Sequence, residues 1–229
     1  IGAGCLIVLG LGTVAALQRP LWMGMLGILF AAGLVRFLLL LNSAFLRAKM
    51  RAPRTAPSAQ SWLWLWLLVG PFLTAALLAA STPAGLIWDE EGAGYDILEY
   101  HLQVPKEYLE NGRIGYLPHN VYANFPSNVE MLYLAAMVVH GDTYETSTIA
   151  NLMHLMLAAL TVFAAWVAGR EWSPEAGVVA ALSTASMGWL VYLSGLAYVE
   201  CGLLFFGTAG VACLARAVGG SELEKNTQP

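Results

Sequence analysis

The sequence predicts an all-α fold, a polytopic membrane helix bundle with about six transmembrane helices and juxtamembrane helices in a long external loop. The first observation is composition: 58% of the 229 residues are hydrophobic and only 11% are charged, whereas soluble domains carry about 25% charged residues. The second is a series of apolar runs long enough to span a bilayer. The third is one polar, aromatic and acidic stretch, residues 95–130, which separates these runs. So few charges cannot solvate a globular surface.

The apolar runs predict the spans, because a spanning helix needs about 17–25 apolar residues. The segments that qualify are 1–17, 21–41, 62–80, 146–168, 175–194 and 197–216. A further run, 128–139, would be about 18 Å long at 1.5 Å per residue. The hydrocarbon core is about 30 Å thick, so we expect this run to form a juxtamembrane helix in the outer interface.

The basic residues predict the orientation, since Lys and Arg are enriched in cytoplasmic loops. The connector 42–61 contains four of them: Arg47, Lys49, Arg51 and Arg54. We therefore expect three transmembrane helices in 1–80 with 42–61 as a cytoplasmic loop, an external loop 81–145, three further transmembrane helices in 146–217, and a cytoplasmic tail or the start of a next loop in 218–229. The chain opens with Ile inside an apolar run, which is typical of a piece of a longer protein.

The polar stretch contains two S/D-x-x-E patterns, which are typical of helix capping boxes. Asp96 with Glu99 predicts the start of one helix, and Ser127 with Glu130 predicts the start of another. Asp96 therefore has a simple structural interpretation as a helix cap. Pro105 is expected to break or restart the first helix, and Asn111-Gly112 is expected to end it with a left-handed cap.

Other polar residues also have a structural interpretation beside a functional one. His101 alone is more often a structural hydrogen-bonding group than a ligand. Asn151 and His154 lie within an apolar helix and are expected to make contacts between helices. Glu200 begins an apolar run, LAYVECGLLFF, where a carboxylate is costly unless water or a partner is close.

The sequence segments YDILEYHL, PKEYLENGRI and LPHNVYANFP resemble those of polyprenyl-phosphate-sugar-dependent glycosyltransferases of the GT-C superfold. The resemblance is greater to the bacterial branch of protein-mannosyltransferase-like and aminoarabinose-transferase-like enzymes, and it covers about residues 86–216. It implies a GT-C-like helix bundle in the bacterial inner (cytoplasmic) membrane, with the active-site loop on the periplasmic or extracellular side.

The resemblance also implies roles for individual residues. Asp96 matches an essential acidic position near the start of the first external loop and would act as general base, while Glu200 matches a second acidic position. The triplet Trp88-Asp89-Glu90 is an alternative to Asp96. His101 would orient the base or, together with Glu200, hold a divalent metal ion, Mg²⁺ or Mn²⁺. The residues expected to bind substrate are Tyr100, Lys106, Arg113, Asn120, Tyr122 and Asn124.

The implied activity is sugar transfer from a polyprenyl-phosphate donor to an acceptor glycan, lipid or protein at the outer membrane face. The sequence has no G-x-G-x-x-G or Walker motif, so a nucleotide-sugar donor is not expected, and neither is a nucleic-acid partner. Two alternatives stay open. One is a non-catalytic GT-C-like subunit of a membrane complex, in contact with other membrane subunits. The other is a transporter, which the few ionisable residues within the apolar runs disfavour.

Overall fold

The computed structural model describes residues 2–50, 60–84 and 94–225, and within these ranges it contains helices and no strand, which confirms the predicted all-α class. The longer helices are α1 (Gly2–Thr13), α2 (Arg19–Met50), α3 (Gln60–Ala80), α4 (Gln103–Glu110), α5 (Glu130–His140), α6 (Glu145–Gly169), α7 (Pro174–Ala185), α8 (Gly188–Ser194) and α9 (Glu200–Lys225). A π-helical turn, Ile97–His101, precedes α4, and a 3₁₀ turn, Val121–Asn124, lies between α4 and α5.

Within the described ranges, α6 is the one helix that is long and apolar enough by itself to cross a membrane. The pair α7 and α8 would make a second span if it acts as one element. The other apolar helical segments have 10–17 residues, and α5 is among them. The bundle of six spans therefore stays a prediction, whereas the expectation that the run 128–139 is too short to cross agrees with the 11 residues of α5.

The predicted span 175–194 consists of two helices, α7 and α8, which meet at a bend of 61°. Hydroxyl groups near the break bond to the backbone of the preceding turn: Thr184 Oγ1 donates to the Ala180 carbonyl at 2.7 Å, and Ser186 Oγ donates to the Ser183 carbonyl at 3.3 Å. Met187 is extended and Gly188 begins the next helix. Such Ser- and Gly-containing sequences are a common cause of sharp kinks.

Helix α5 lies at the centre of the fold, because two hydrophobic clusters meet on it. Tyr133 and Met137, one turn apart, face a cluster with residues of α6, α8 and α9. Met131, Leu134 and Val138 face a second cluster with residues of α1, α2 and α4. The polar stretch 94–130 is thereby held against the helical bundle through the helix that follows it.

His154 joins three helices. Its Nε2 accepts the Cys201 N–H at 3.0 Å, which fixes the tautomer, so that Nδ1–H donates to the Leu193 carbonyl at 3.0 Å. One turn earlier on α6, Asn151 Nδ2 donates to the Thr82 carbonyl at 2.9 Å. The prediction of a contact between helices is confirmed for His154, whereas Asn151 bonds to the turn that follows α3.

His154→Leu is expected to destabilise the fold strongly. The substitution leaves the Cys201 N–H buried without its partner, and such a group costs about 1–3 kcal/mol. It also removes one of the two hydrogen bonds to the Leu193 carbonyl, which still accepts the Leu196 N–H. Thermal unfolding in detergent should show a clearly lower midpoint for His154→Leu than for Met156→Leu, an exposed position on the same helix. Equal midpoints for the two variants would contradict this role of His154.

Candidate functional site

Asp96 does not cap a helix. Its backbone is already helical, with φ −59° and ψ −28°, and its side chain makes no capping hydrogen bond. An N-cap residue normally has extended backbone, which lets its side chain reach the first free N–H groups. The predicted capping box of Asp96 and Glu99 is therefore wrong. Instead, the Tyr100 hydroxyl one turn later donates a hydrogen bond to the Asp96 carboxylate.

The π-helical turn separates Asp96 from α4. The Leu102 N–H donates to the Ile97 carbonyl at 2.9 Å, which closes the wide turn. Pro105 lies in the first turn of α4, where its missing N–H costs no hydrogen bond, so the predicted restart of the helix at Pro105 is confirmed. Single π turns of this kind are frequent at functional sites.

His101 and Glu130 form a buried pair. Their atoms Nδ1 and Oε1 are 2.8 Å apart, and the two residues are only 3% and 5% exposed. The capping box predicted for Ser127 and Glu130 is wrong, because α5 is preceded by a helical Val129 without a side-chain cap and the Glu130 carboxylate points to His101. The second oxygen of Glu130, Oε2, is buried without a hydrogen-bond partner.

Tyr198 covers this pair from the side of α9. Its ring meets the His101 ring edge-on with centroids 5.4 Å apart, and its carbonyl accepts a hydrogen bond from the Tyr133 hydroxyl. Burial raises the pKa of Tyr198, and the negative charges of Asp96 and Glu200 raise it further. Two acidic residues that are distant in sequence therefore act on the same hydroxyl.

Tyr100 is the point at which the acidic groups meet. Burial is the main cause that raises the pKa of its hydroxyl. The charge and the hydrogen bond of Asp96 raise this pKa further, and the charges of Glu200 and Glu130 add smaller increases. The hydroxyl consequently stays protonated and donates to Asp96 at physiological pH. Asp96, Glu130 and Glu200 thus lie within electrostatic range of one side chain, which brings together the two acidic positions that the sequence singled out.

Glu200 also has a local structural role. It is the first residue of α9, and its Oε2 accepts the Val199 N–H at 3.1 Å. A carboxylate is favourable at the positive end of a helix dipole. These interactions and its partial exposure explain how the Glu200 carboxylate is tolerated at the start of an apolar run.

Three aromatic side chains form a layered surface beside Asp96, which we name the aromatic shelf: Tyr100, Tyr122 and Phe125. The rings of Tyr100 and Tyr122 stack with centroids 5.0 Å apart. Phe125 meets both rings edge-on, at 6.1 Å from Tyr100 and 5.7 Å from Tyr122. The shelf extends from the Asp96 partner Tyr100 to Phe125, which is 54% exposed.

Asn120 and Asn124 make hydrogen bonds within the shelf segment. Asn120 is 7% exposed; its Nδ2 donates to the Glu99 carbonyl at 3.0 Å and its Oδ1 accepts the Tyr122 N–H at 3.1 Å. Asn124 Nδ2 donates to the Val121 carbonyl at 3.0 Å at the surface. Asn120 therefore positions Tyr122, while Asn124 is the more accessible of the two amides.

Lys106 and Arg113 were predicted to bind substrate. Each of them lines a separate cavity. Lys106 borders a cavity of about 350 Å³ together with Leu98, Met137 and Ser147, and its Nζ is 3.9 Å from Glu110. Arg113 borders a cavity beside Asn111, Gly115 and Tyr116. A role for either cation toward a phosphate stays a prediction.

An apolar groove of about 560 Å³ is lined in part by Glu130, the partner of His101. We call it the apolar groove; α1, residues 126–129 and the starts of α5 and α9 form it, and Leu157 of α6 contributes. Glu130 and Asn128 are polar members of a lining that is otherwise mostly aliphatic and aromatic, with Leu6, Leu132, Leu203 and Phe206 among its residues. Such a lining suits an apolar ligand.

His101 and Glu200, predicted to hold a divalent metal ion, each have one side-chain atom in a hydrogen bond within the protein. His101 Nδ1 faces Glu130, and Glu200 Oε2 accepts the Val199 N–H. Across the described part of the chain, no three His, Cys, Asp or Glu side chains are grouped so as to hold an ion. A divalent ion held by His101 and Glu200 would have no third ligand of these types among the described residues, and its presence stays a prediction.

The alternative acidic triplet, Trp88-Asp89-Glu90, lies outside the described residues. Comparisons of the chain with protein-family models, curated proteins and solved structures found no match. The resemblance to GT-C glycosyltransferases therefore rests on the sequence segments quoted above.

Proposed function

We propose that the protein is an integral membrane glycosyltransferase of GT-C type, with about six spans, that transfers a sugar from a polyprenyl-phosphate donor to an acceptor at the outer face of a bacterial inner membrane. The observation that carries the proposal is a continuous series of contacts between the apolar groove and Asp96. Glu130 lines the groove and bonds to His101, the His101 ring touches the Tyr100 ring at 4.1 Å, and the Tyr100 hydroxyl bonds to Asp96.

The chemistry needs a proton acceptor next to the incoming hydroxyl group. The acceptor oxygen attacks the anomeric carbon, its proton passes to the Asp96 carboxylate, and the bond between the anomeric carbon and the phosphate oxygen breaks. The electron pair of that bond leaves with the polyprenyl phosphate, and the configuration inverts. A carboxylate within hydrogen-bond reach can serve as such a base. Tyr100 holds Asp96 in place through a hydroxyl that stays protonated.

The apolar groove supports a lipid-linked donor over a water-soluble one. A prenyl chain placed there would bury apolar surface against side chains such as Leu132 and Phe206. Its sugar-phosphate end would then lie near Glu130, where the groove adjoins the His101 pair. Two substrates could thus approach Asp96 from two sides, the donor from the groove and the acceptor from the aromatic shelf.

Leu203→Trp is expected to raise the KM for the lipid donor roughly tenfold with little change in kcat, the result of lost uniform binding. Leu203 is 74% exposed and lines the groove, so a larger ring would fill that space without disturbing the core. Leu214→Trp is the matched control, because Leu214 is 65% exposed on the same helix and is not a groove residue. Steady-state kinetics with a labelled polyprenyl-phosphate sugar measures KM and kcat for both variants. Equal KM values for Leu203→Trp and Leu214→Trp would contradict the assignment of the groove.

A non-catalytic subunit of a membrane complex is the second candidate. One observation favours it: Lys106 and Arg113 line cavities other than the groove, whereas a departing phosphate is usually stabilised by cations. Equilibrium binding of a polyprenyl-phosphate sugar to the purified chain distinguishes the two, since the subunit has no need to bind the donor.

A further inference from the structure

The aromatic shelf presents a ring surface that the fold itself does not require. Phe125 is 54% exposed, and its ring is T-shaped to the rings of Tyr100 and Tyr122. The Asn120 side chain donates to the Glu99 carbonyl and accepts the Tyr122 N–H, and it thereby fixes the segment that carries Tyr122. A firmly held and exposed aromatic surface beside a hydrogen-bonded carboxylate needs a separate explanation.

We infer that the aromatic shelf binds a saccharide, so that the acceptor of the proposed reaction is a glycan and neither a peptide nor a lipid. That the bound saccharide is an acceptor rests on the proposed function. Saccharide binding by the shelf does not depend on the transfer reaction. A sugar ring has an apolar face of C–H groups, and the faces of aromatic rings carry partial negative charge that attracts such groups. Its edge carries hydroxyls that donate to carboxylate and amide oxygens.

The shelf offers both kinds of contact within a short distance. Phe125 supplies the exposed ring, and its centroid is 6.1 Å from that of Tyr100. The Tyr100 hydroxyl bonds to Asp96, so a sugar seated on Phe125 would have a hydroxyl close to the proposed base. Asn124, exposed in the same segment, adds a side-chain carbonyl oxygen, since its Nδ2 already donates to Val121.

The shelf also adjoins the apolar groove. Phe125 is followed directly by Pro126, which lines the groove. An acceptor sugar on the shelf and a lipid donor in the groove would therefore be neighbours, as a direct transfer between them requires. Insertion of the same aromatic residues into the membrane interface, a common role of such rings, is the competing explanation that the test must separate.

Saturation-transfer NMR on the full chain in detergent tests the inference directly. The probes are soluble disaccharides of glucose, galactose, mannose and their N-acetylamino forms, used without any lipid donor. We expect at least one of them to receive saturation at its ring protons. Phe125→Ala should weaken that binding about tenfold, the size of one lost aromatic contact, whereas Phe125→Trp should retain it.

Phe163→Ala is the matched control, because Phe163 is 56% exposed on α6 and lies outside the shelf. It should leave disaccharide binding unchanged. The inference is overturned if no disaccharide gives a signal that depends on Phe125, or if Phe125→Ala changes only the partitioning into phospholipid vesicles. Disaccharide binding without consumption of any lipid-linked sugar would refute the transferase and leave the saccharide site. Transfer of the sugar to a peptide without disaccharide binding would support the transferase and refute the saccharide site.

Discussion

Asp96→Asn should lower the turnover of sugar transfer by about 10²–10⁴-fold, the usual size of general-base catalysis, while the protein remains folded. Asparagine has nearly the same shape and still accepts the hydrogen bond from the Tyr100 hydroxyl, but an amide cannot take the acceptor proton. Asp96 makes no capping bond, but Asp96→Ala removes the group that accepts from the Tyr100 hydroxyl. The Asn variant is therefore the one that separates catalysis from stability.

Transfer of a labelled sugar from polyprenyl phosphate and thermal unfolding are to be measured on the same preparations. Glu99→Gln is the matched control, because Glu99 is a half-buried carboxylate in the same π-helical turn. Near-normal activity of Asp96→Asn would refute the assignment of the base. If Asp89→Asn is inactive at the same time, the base belongs to the triplet Trp88-Asp89-Glu90.

Glu130→Leu and His101→Leu should each destabilise the protein by about 1–3 kcal/mol, the usual cost of leaving a buried polar group without its hydrogen-bond partner. Both residues are almost fully buried and their atoms are 2.8 Å apart, so a single change strands the other polar group. The double variant should be less destabilised than the sum of the two single variants, because apolar replacement of both partners leaves no stranded group.

A second pair in the same chain provides the control. His119 Nε2 and Glu107 Oε2 are also 2.8 Å apart, but the His119 side chain is 63% exposed and that of Glu107 is 14% exposed. Solvent at His119 screens the interaction, which should therefore contribute only about 0–1 kcal/mol. Denaturant unfolding of His119→Leu should therefore stay close to the unmutated protein. Similar losses for His119→Leu and His101→Leu would contradict the importance of burial for the latter.

Local rules predicted several features well. The end of α4 at a left-handed Gly112, with φ +67°, follows from the Asn-Gly pair, which allows that conformation. Pro105 marked the start of α4, and the polar side chain of His154 within an apolar helix marked a contact between helices. In each case the signal depends on the residue and its immediate neighbours.

The capping boxes failed because a D-x-x-E or S-x-x-E pattern works only if the first residue is extended, and the backbone of Asp96 is already helical. Glu130 was interpreted as part of a cap, whereas the fold directs it to His101, 29 positions earlier. A pairing over that separation depends on how α5 packs against α4 and the π-helical turn, which no local pattern contains. The apolar groove is formed by four separate parts of the chain and was likewise not foreseen.

The most direct test of the proposed function is turnover of the donor by the unmutated full chain in proteoliposomes. Polyprenyl phosphates carrying radiolabelled hexoses and pentoses, aminoarabinose among them, are supplied with a mixture of surface glycans, and free polyprenyl phosphate is quantified. The account predicts that at least one donor is consumed, that its label appears on the glycan, and that Asp96→Asn abolishes both signals. Absence of donor binding and of donor consumption across the whole series would contradict it and favour the non-catalytic subunit.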